Sequence, residues 1–330
     1  MTVPDAIVLR GLRKTFGETV AVRDLDLVVP EGALYGVIGP NGAGKTTTIR
    51  MILSILLPDR GALSVLGRPS ALEAKDRIGY LPEERGLYKR MRVGQFLAYM
   101  ARLKSADGPG LQARIRQWLE RIDLGGVEHK RCEELSKGMQ QKVQFLAAIV
   151  HRPALLVLDE PFAGLDPVNQ RLLRELVTEE HRRGVTVLFS THIMAHAEQL
   201  CDHVVMIHRG EKVLDDRLSD IRARHVPRTV VFEPLDPAAA AEALARVPGV
   251  ARVSVTGRTW ELALAPDAAP ASVIQRVAAA IPPARVELTR PSLEDVFFRI
   301  VSARPAEHGG AAPGAGAAGG SGAGPAEARP

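Results

Sequence analysis

One stretch of the chain, residues 39–46, constrains the fold more than any other. It reads Gly-Pro-Asn-Gly-Ala-Gly-Lys-Thr, which fits G-x-x-x-x-G-K-[ST], the phosphate-binding loop, with no mismatch. The apolar run 34–38 before it is typical of a buried strand, and residues 47–56 after it have helical spacing and stop before Pro58. This strand, loop and helix order is the context that the motif requires. It favours a nucleotide site over a glycine-rich turn that happens to carry Lys-Thr.

The residue types in this loop match the chemistry of a phosphate group. Its glycines let the backbone turn tightly and bring N–H groups against phosphate oxygens. The helix that begins here adds unpaired N–H groups and the positive end of its dipole. Lys45 supplies a charge for the β and γ phosphates, and the Thr46 hydroxyl is a hard oxygen ligand for Mg²⁺. The predicted nucleotide-binding residues are Gly39, Pro40, Asn41, Gly42, Ala43, Gly44, Lys45, Thr46 and Thr47.

Composition narrows the class of protein. A length of 330 residues leaves room for one large domain and one small one, and 46% hydrophobic residues suffice for a core. The net charge of +5 comes from scattered Lys and Arg, and only 4% of residues are aromatic, so nucleic acid is not an expected partner. The chain start lacks a secretory pattern, and no stretch reaches the roughly 18 apolar residues of a membrane helix. We therefore expect a cytoplasmic chain whose membrane work belongs to a partner.

A later apolar run ends in two carboxylates. Residues 154–158 have the pattern of a buried strand, and Asp159 and Glu160 follow directly. The carboxyl ends of strands are where α/β sheets bind ligands. Asp159 is suited to hold Mg²⁺ opposite Thr46, and Glu160 is suited to orient or deprotonate an attacking water. Without the phosphate loop, a solvated acidic turn would be the better interpretation; with it, the functional one is favoured.

Two further residues are ambiguous on their own. The buried run 185–190 ends in Thr191 and His192, where a neutral imidazole could bond a γ-phosphate oxygen and distinguish ATP from ADP. A lone histidine at a strand end is more often a structural hydrogen-bonding residue. Phe16, at a turn between two predicted strands, is by itself an ordinary hairpin core residue.

The middle of the chain changes to a helical pattern. Apolar residues recur at helical spacing in stripes that begin at positions 96, 111 and 139. Ser136 precedes the third stripe as a predicted N-cap. These stripes predict a helical insertion at about residues 90–150 inside a strand-and-helix domain.

Together these features resemble the ATP-binding subunit of an ABC transporter over roughly residues 5–218. The most specific part is the stretch 135–142, Leu-Ser-Lys-Gly-Met-Gln-Gln-Lys, which is similar to the signature sequence of that family. The resemblance implies that Ser136, Gly138 and Gln140 contact a nucleotide, and that this nucleotide is held by a partner chain. A helix start in the same chain is a physical reason for such an anion site.

The resemblance also assigns roles to residues elsewhere in the chain. Phe16 matches the aromatic residue that stacks on adenine, and His192 matches the switch histidine. Glu83 falls where the family usually has the glutamine of its Q-loop, and a carboxylate there can still ligate Mg²⁺. Asp166 lies in a stretch, Ala-Gly-Leu-Asp, that is similar to the D-loop.

By resemblance, the chain uses ATP and Mg²⁺ and is one of the two ATPase chains of a dimer. Two copies, or this chain and a paralogous ABC ATPase, meet head to tail around ATP, and hydrolysis drives an integral-membrane permease. The chain would then be peripheral on the inner face of the cell membrane. Three departures from the family pattern, Lys137, Met139 and Glu83, resemble the branch of ABC-2 type exporters with separate ATPase and permease subunits.

After residue 220 the pattern restarts. Residues 221–302 read as β-α-β-β-α-β, the split βαβ arrangement, followed by a capping box at 292–295 that opens a last helix. No nucleophile or phosphate loop occurs here, so we expect a dimerising, ligand-sensing or permease-docking module. Residues 303–330 are rich in Ala, Gly and Pro, which predicts a disordered tail.

The expected fold is therefore an α/β P-loop NTPase, an ABC ATPase cassette over 1–218, with a small ferredoxin-like α+β domain and a disordered tail. Two other functions stay open at this level. One is a soluble, ATP-gated scaffold or regulator without a permease. The other is a slow ATP-binding module, suggested by the three departures from the family pattern.

Overall fold

The computed structural model describes residues 3–84, 86–224, 228–236 and 241–303. Its strands are β1 (Asp5–Phe16), β2 (Thr19–Pro30), β3 (Leu34–Ile38), β4 (Arg60–Val65), β5 (Ile78–Leu81), β6 (Leu155–Asp159), β7 (Thr186–Thr191), β8 (His203–His208), β9 (Glu211–Arg217), β10 (Thr229–Pro234), β11 (Val250–Thr256), β12 (Thr259–Leu264) and β13 (Pro283–Thr289). Its helices are α1 (Lys45–Ile52), α2 (Val93–Leu103), α3 (Leu111–Arg121), α4 (Lys137–Ile149), α5 (Pro167–Arg182), α6 (Met194–Leu200), α7 (Leu218–Arg224), α8 (Glu242–Ala245), α9 (Pro270–Ala280) and α10 (Leu293–Ala303). None of these helices is long and apolar enough to span a bilayer.

A six-stranded sheet organises the part of the chain before residue 225, which we call the large unit. Its order is β5-β6-β7-β3-β8-β9, parallel except for the final antiparallel hairpin of β8 and β9. Strands β3, β6 and β7 are buried along their whole length, as is typical of parallel strands covered on both faces. In register, Ile38 lies opposite Thr191, and Asp159 lies opposite Ser190. Three strand ends that carry the predicted site residues therefore meet at one edge.

Two hydrophobic cores flank this sheet. One lies between the sheet and an antiparallel sheet of order β2-β1-β4, with Ile7, Leu27 and Ile49 among its buried members. The other contains the apolar faces of α2, α3 and α4, including Phe96 and Ile115. The predicted helical pattern of residues 93–150 is confirmed by these three helices.

The small unit is built from β10–β13 with α8 and α9. Its sheet is antiparallel throughout, in the order β11-β12-β10-β13, which is the ferredoxin-like arrangement of β-α-β-β-α-β. One face is apolar and buried against the helices, with Phe232 stacked on Trp260 at 5.7 Å between ring centroids. The first helix of the predicted pattern is described only as α8, since residues 237–240, just before it, lie outside the described part of the chain.

The last helix, α10, packs on the large unit although it follows the small one. Leu293, Val296 and Phe297 are buried in the same core as Ala197 of α6. The backbone N–H of Leu293 donates to the carboxylate of Glu198. The apolar face of the small sheet is already covered by α8 and α9, so the apolar stripe of α10 is buried elsewhere. The predicted tail lies outside the described residues, apart from Ala303 at the end of this helix.

Two local features differ from the sequence-based expectation. Helix α1 ends at Ile52 instead of continuing to residue 56, because the chain turns at Ser54, whose φ is 56°. A 3₁₀ helix, Ala71–Arg77, precedes β5 and was not predicted. Both differences concern turns, where short-range hydrogen bonds decide the path and apolar periodicity carries little information.

Candidate nucleotide site

The strand ends surround an open cleft of about 310 Å³. It is lined by Ala21, Asn41, Gly42, Ala43, Gly44, Lys45, Thr46, Thr47, Glu83 and Glu160. Most of the predicted phosphate-binding residues thus share one cavity with both a predicted metal ligand, Glu83, and the predicted general base. The position at the carboxyl edge of a parallel sheet, where the strand order reverses, is where α/β folds bind ligands.

Glycine is required in the phosphate loop for reasons visible in its surroundings. A Cβ on Gly44 would lie 2.4 Å from the carbonyl oxygen of Ala21, and one on Gly39 would lie 2.1 Å from that of Ile207. Gly44 also has φ 107° and directly precedes α1, which has no side-chain cap. The N–H groups of the first turn therefore remain available to an anion, together with the helix dipole.

Lys45 holds its ammonium group inside the cleft. The Nζ donates to the carbonyl oxygens of Gly39, at 2.9 Å, and Pro40, at 3.2 Å. It also lies 3.6 Å from Oε1 of Glu160, and the side chain is only 6% exposed. A buried cation held by carbonyls and one carboxylate can exchange these partners for phosphate oxygens at little cost in reorganisation.

Asp159 and Thr46 bring their oxygens together. Thr46 Oγ1 donates to Asp159 Oδ1 at 3.3 Å, and Ser190 Oγ donates to the same oxygen at 2.5 Å. Burial raises the pKa of Asp159, although the bonds from Ser190 and Thr46 act in the opposite direction. A hydroxyl and a carboxylate in contact are donors that suit Mg²⁺, which proteins commonly hold with few side chains plus substrate phosphates. Among the described residues, no group of three or more His, Cys, Asp or Glu side chains could hold a metal ion by itself.

Glu160 is held in an unusual backbone conformation. Its φ is 47°, in the left-handed region that costs a non-glycine residue about 1 kcal/mol or more. Its N–H donates to Ser190 Oγ at 3.1 Å, and its Oε1 lies 3.0 Å from Nδ1 of His192. The carboxylate is buried, whereas the His192 side chain is 42% exposed. The Glu160 carboxylate thus lines the cleft, and the exposed His192 contacts it without being one of the residues that line the cleft.

Ser190 is a site residue that the sequence analysis missed. Its hydroxyl contacts Asp159 and the backbone of Glu160, so it positions both carboxylates. In the sequence it is one more residue of a buried run. Only the register of β7 beside β6 shows its role.

Five predicted nucleotide contacts outside the phosphate loop do not line the cleft. Ser136 caps α4, with its Oγ accepting the N–H of Met139 at 3.3 Å, as predicted. Gly138 lies beside Asn169, next to Asp166, which caps α5 by accepting the Asn169 N–H at 3.0 Å. That bond is the main reason that the pKa of Asp166 is lowered. We call Ser136, Gly138 and Asp166 the signature surface.

The other two such residues are Gln140 and Phe16. Gln140 donates its side-chain N–H groups to the carbonyls of Cys132, at 3.3 Å, and Leu135, at 3.0 Å, within its own loop. This geometry shows it bracing the loop before α4. Phe16 is 50% exposed at the end of β1, with the Lys14 ammonium 5.7 Å from its ring centroid. An exposed ring in that position is free to stack on a flat ligand.

A phosphate loop between a buried strand and a helix, with an acidic pair at the carboxyl end of another strand of the same sheet, defines a P-loop nucleoside triphosphatase. The family model of ABC transporters matches residues 22–163, and that of the DrrA1-3-like ATP-binding protein C-terminal domain matches residues 217–301. An uncharacterised ABC transporter ATP-binding protein, YhaQ of Bacillus subtilis (strain 168), is 41% identical over 290 residues, 88% of this chain and 96% of its own. The Nod factor export ATP-binding protein I of Bradyrhizobium diazoefficiens is 33% identical over 299 residues, 89% of this chain and 96% of its own.

Solved structures agree with these sequence relatives. An ATP-binding subunit of an ABC transporter superposes with a TM-score of 0.62 at 32% identity, over 66% of this chain and 92% of that one. The chain belongs to the ATP-binding subunits of ABC transporters. It is an ATPase of that family.

Proposed function

We propose that this chain energises an ABC exporter as one half of a head-to-tail ATPase pair. MgATP binds in the cleft of one chain and is covered by the signature surface of the other, which is a second copy or a paralogous ATPase. Residues 1–218 form the ATP-binding domain, and residues 221–302 are an accessory domain. One observation carries the proposal: Ser136 and Asp166 of the signature surface are exposed, and this surface lies outside the cleft, although both the surface and the cleft are at helix starts suited to anions.

Within one cleft each side chain has a distinct task. Loop N–H groups and Lys45 hold the phosphates, and Glu160 removes a proton from the attacking water. Thr46, Asp159 and Glu83 would hold Mg²⁺, which would neutralise negative charge on the phosphates. His192 contacts Glu160 and orients it. Because the His192 side chain is partly exposed, it can also contact the γ-phosphate and sense whether it is present.

Export is supported by what the relatives are. One is named for Nod factor export, and the C-terminal match is to a DrrA1-3-like domain. We place a separate ABC-2 type permease at the exposed aromatic pair Tyr88 and Tyr99, whose rings lie 5.8 Å apart and are 52% and 39% exposed. The pair comes after Glu83 in the chain, so a segment of the chain connects the cleft to this surface. Exposed aromatic rings suit an apolar partner. Binding there would hold the chain on the inner face of the cell membrane.

The head-to-tail arrangement is tested by mixing two inactive variants. Lys45→Ala disables the cleft, and Ser136→Asp disables the signature surface by setting a carboxylate against the partner's phosphates. Asp caps a helix as well as Ser does, so α4 keeps its start. Each variant alone should hydrolyse ATP at least about 100-fold more slowly than wild type. An equal mixture should recover roughly a quarter of the wild-type rate, because half of the dimers are mixed and each has one intact site of two.

Ser136→Asn is the matched control, since it caps the helix and adds no charge. It should stay clearly more active than Ser136→Asp, because the added charge is what opposes the partner's phosphates. A mixture that stays as inactive as its components would contradict the composite site, as would full activity of the Ser136→Asp chain alone.

The membrane partner is tested separately. Tagged chain recovered from detergent-solubilised membranes should bring down a polytopic protein, and a Tyr88→Ala/Tyr99→Ala variant should not. Recovery of soluble proteins alone would favour the scaffold function.

A further inference from the structure

Helix α4 carries two buried glutamines that the ATPase chemistry above does not use. Gln141 and Gln144 lie three residues apart, so they share one face of the helix. Each is only 5% exposed. Glutamine is mostly found at protein surfaces, and two such side chains in the interior of one helix call for a reason.

Each glutamine is bonded to a backbone carbonyl that adjoins a carboxylate of the cleft. Gln141 Nε2 donates to the carbonyl of Pro161, at 3.3 Å, the residue after Glu160. Gln144 Nε2 donates to the carbonyl of Glu84, at 3.1 Å, the residue after Glu83. Glu83 and Glu160 both line the cleft. One face of α4 is thus hydrogen-bonded to the residue that follows each of the two cleft-lining glutamates.

Stability alone does not account for Gln144. Its Oε1 is buried and has no hydrogen-bond partner among the residues that the structure describes. An unpaired buried oxygen costs about 1–3 kcal/mol, and a methionine of similar length would remove that cost. A buried group that destabilises the fold but holds a loop of the ATP site indicates a role in positioning.

We propose that Gln141 and Gln144 are positioning residues through which α4 holds Glu160 and Glu83 of its own chain in place. The inference rests on the proposed head-to-tail ATPase, because the amino end of α4 is the signature surface offered to the partner's nucleotide. Helix α4 has 13 residues and is about 20 Å long. The same rigid element therefore contacts one ATP at its start and supports the hydrolysis of the other along its side.

The mixed dimer separates this role from a general effect on α4. Its only intact site takes the phosphate loop from the Ser136→Asp chain and the signature surface from the Lys45→Ala chain. Gln141→Met and Gln144→Met, introduced together into the chain that supplies the phosphate loop, should lower kcat about tenfold with KM unchanged. The same pair in the chain that supplies the signature surface should change the rate less than about twofold, since the cleft beside it is already disabled.

Thr186→Val in the phosphate-loop chain is the control for losing a buried hydrogen bond. Thr186 is buried and its Oγ1 accepts the N–H of Gly32 at 2.9 Å, at the start of β7 and away from Ser190. This variant should leave kcat within about twofold. Gln144→Met alone should unfold at the same temperature as wild type or higher, because it removes the unpaired oxygen; its lower kcat then cannot be ascribed to misfolding.

Equal losses from both placements, or a loss only in the signature chain, would overturn the inference while leaving the composite site intact. If the parent variants fail to complement each other, the proposed dimer is wrong. The glutamines are then judged in the otherwise wild-type chain, where an unchanged kcat for Gln141→Met/Gln144→Met overturns their role and a tenfold loss with unchanged KM upholds it.

Discussion

The sheets of the large and small units differ in the direction of their neighbouring strands, and this decides where the strand ends lie. In the large unit, parallel strands β3, β6 and β7 end side by side, so the residues that follow them converge. In the small unit, neighbouring strands run antiparallel, and successive strand ends alternate between the two edges. The same alternation of strands and helices therefore creates a cleft in one unit and only a packed layer in the other.

Burial of polar groups follows this division. Every polar or charged side chain that is buried among the described residues belongs to the large unit, and Lys45, Asp159, Glu160 and Ser190 are four of them. The buried cluster of the small unit is wholly apolar, with Phe232 and Trp260 at its centre. Buried polar groups cost stability unless they are paired, so their concentration marks where the fold serves chemistry.

The largest expected effect is on turnover in the large unit. Glu160→Gln should lower the rate of ATP hydrolysis by about 10²–10⁴-fold, because an amide cannot accept the proton of the attacking water. ATP binding should be retained, and a steady-state phosphate-release assay beside a binding titration measures both. Wild-type turnover in this variant would remove Glu160 from its role.

The next largest effect is on affinity. Lys45→Ala should weaken ATP binding by about 100-fold, because the buried ammonium that compensates the phosphates is lost and Glu160 then faces them without its cation. Isothermal titration with ATP and Mg²⁺ checks this. Arg102→Ala, which removes an exposed cation paired with Asp107, is a matched control expected to change affinity little. Equal affinities for the two variants would argue against the site.

A core truncation in the small unit should separate stability from activity. Phe232→Ala is expected to destabilise that unit by about 3–5 kcal/mol, since it empties the centre of a wholly apolar core. In a Trp118→Phe background, Trp260 is the remaining tryptophan, and its fluorescence in urea follows the small unit. The ATPase rate of the chain should stay within about twofold of its parent. A large loss of turnover at full ATP occupancy would show that the units are energetically joined.

The smallest predicted effect concerns pH. Burial, aided by the charge of Lys104, lowers the pKa of His151 in the large unit to about 4. The unfolded chain therefore binds more protons than the folded one between about pH 6.5 and 4, and stability falls as the pH falls through that window. From pH 7 to 5 this amounts to about 2 kcal/mol. His151→Gln, which can still donate to Ile78, should remove that slope in urea unfolding of the large unit. The free energy of unfolding of the small unit, followed by Trp260, should show no such pH dependence. If the large unit of His151→Gln keeps the pH dependence of its parent, the assignment to His151 is wrong.

Much of the site could be read from the order of residues. The residues of the phosphate loop are contiguous, so its geometry is local and its sequence motif is enough to recognise it. Asp159 and Glu160 were predicted because they end an apolar run. Ser190, Gln141 and Gln144 could not be, because each acts across 20 or more residues of sequence through a hydrogen bond that only packing creates. The nucleotide contact of Gln140 stays a prediction, and the structure adds that its amide donates to the carbonyl of Leu135 within its own loop.

The amino-acid sequence by itself determined the strands, the helical insertion and the anion-binding helix starts, since each depends on apolar periodicity, glycine or a cap within a few residues. The tertiary structure alone decided which strand ends meet, where α10 is buried, and that the signature surface lies outside the cleft. Those outcomes depend on strand order and on competition for buried area between distant segments. Neither is encoded in any short stretch of the chain.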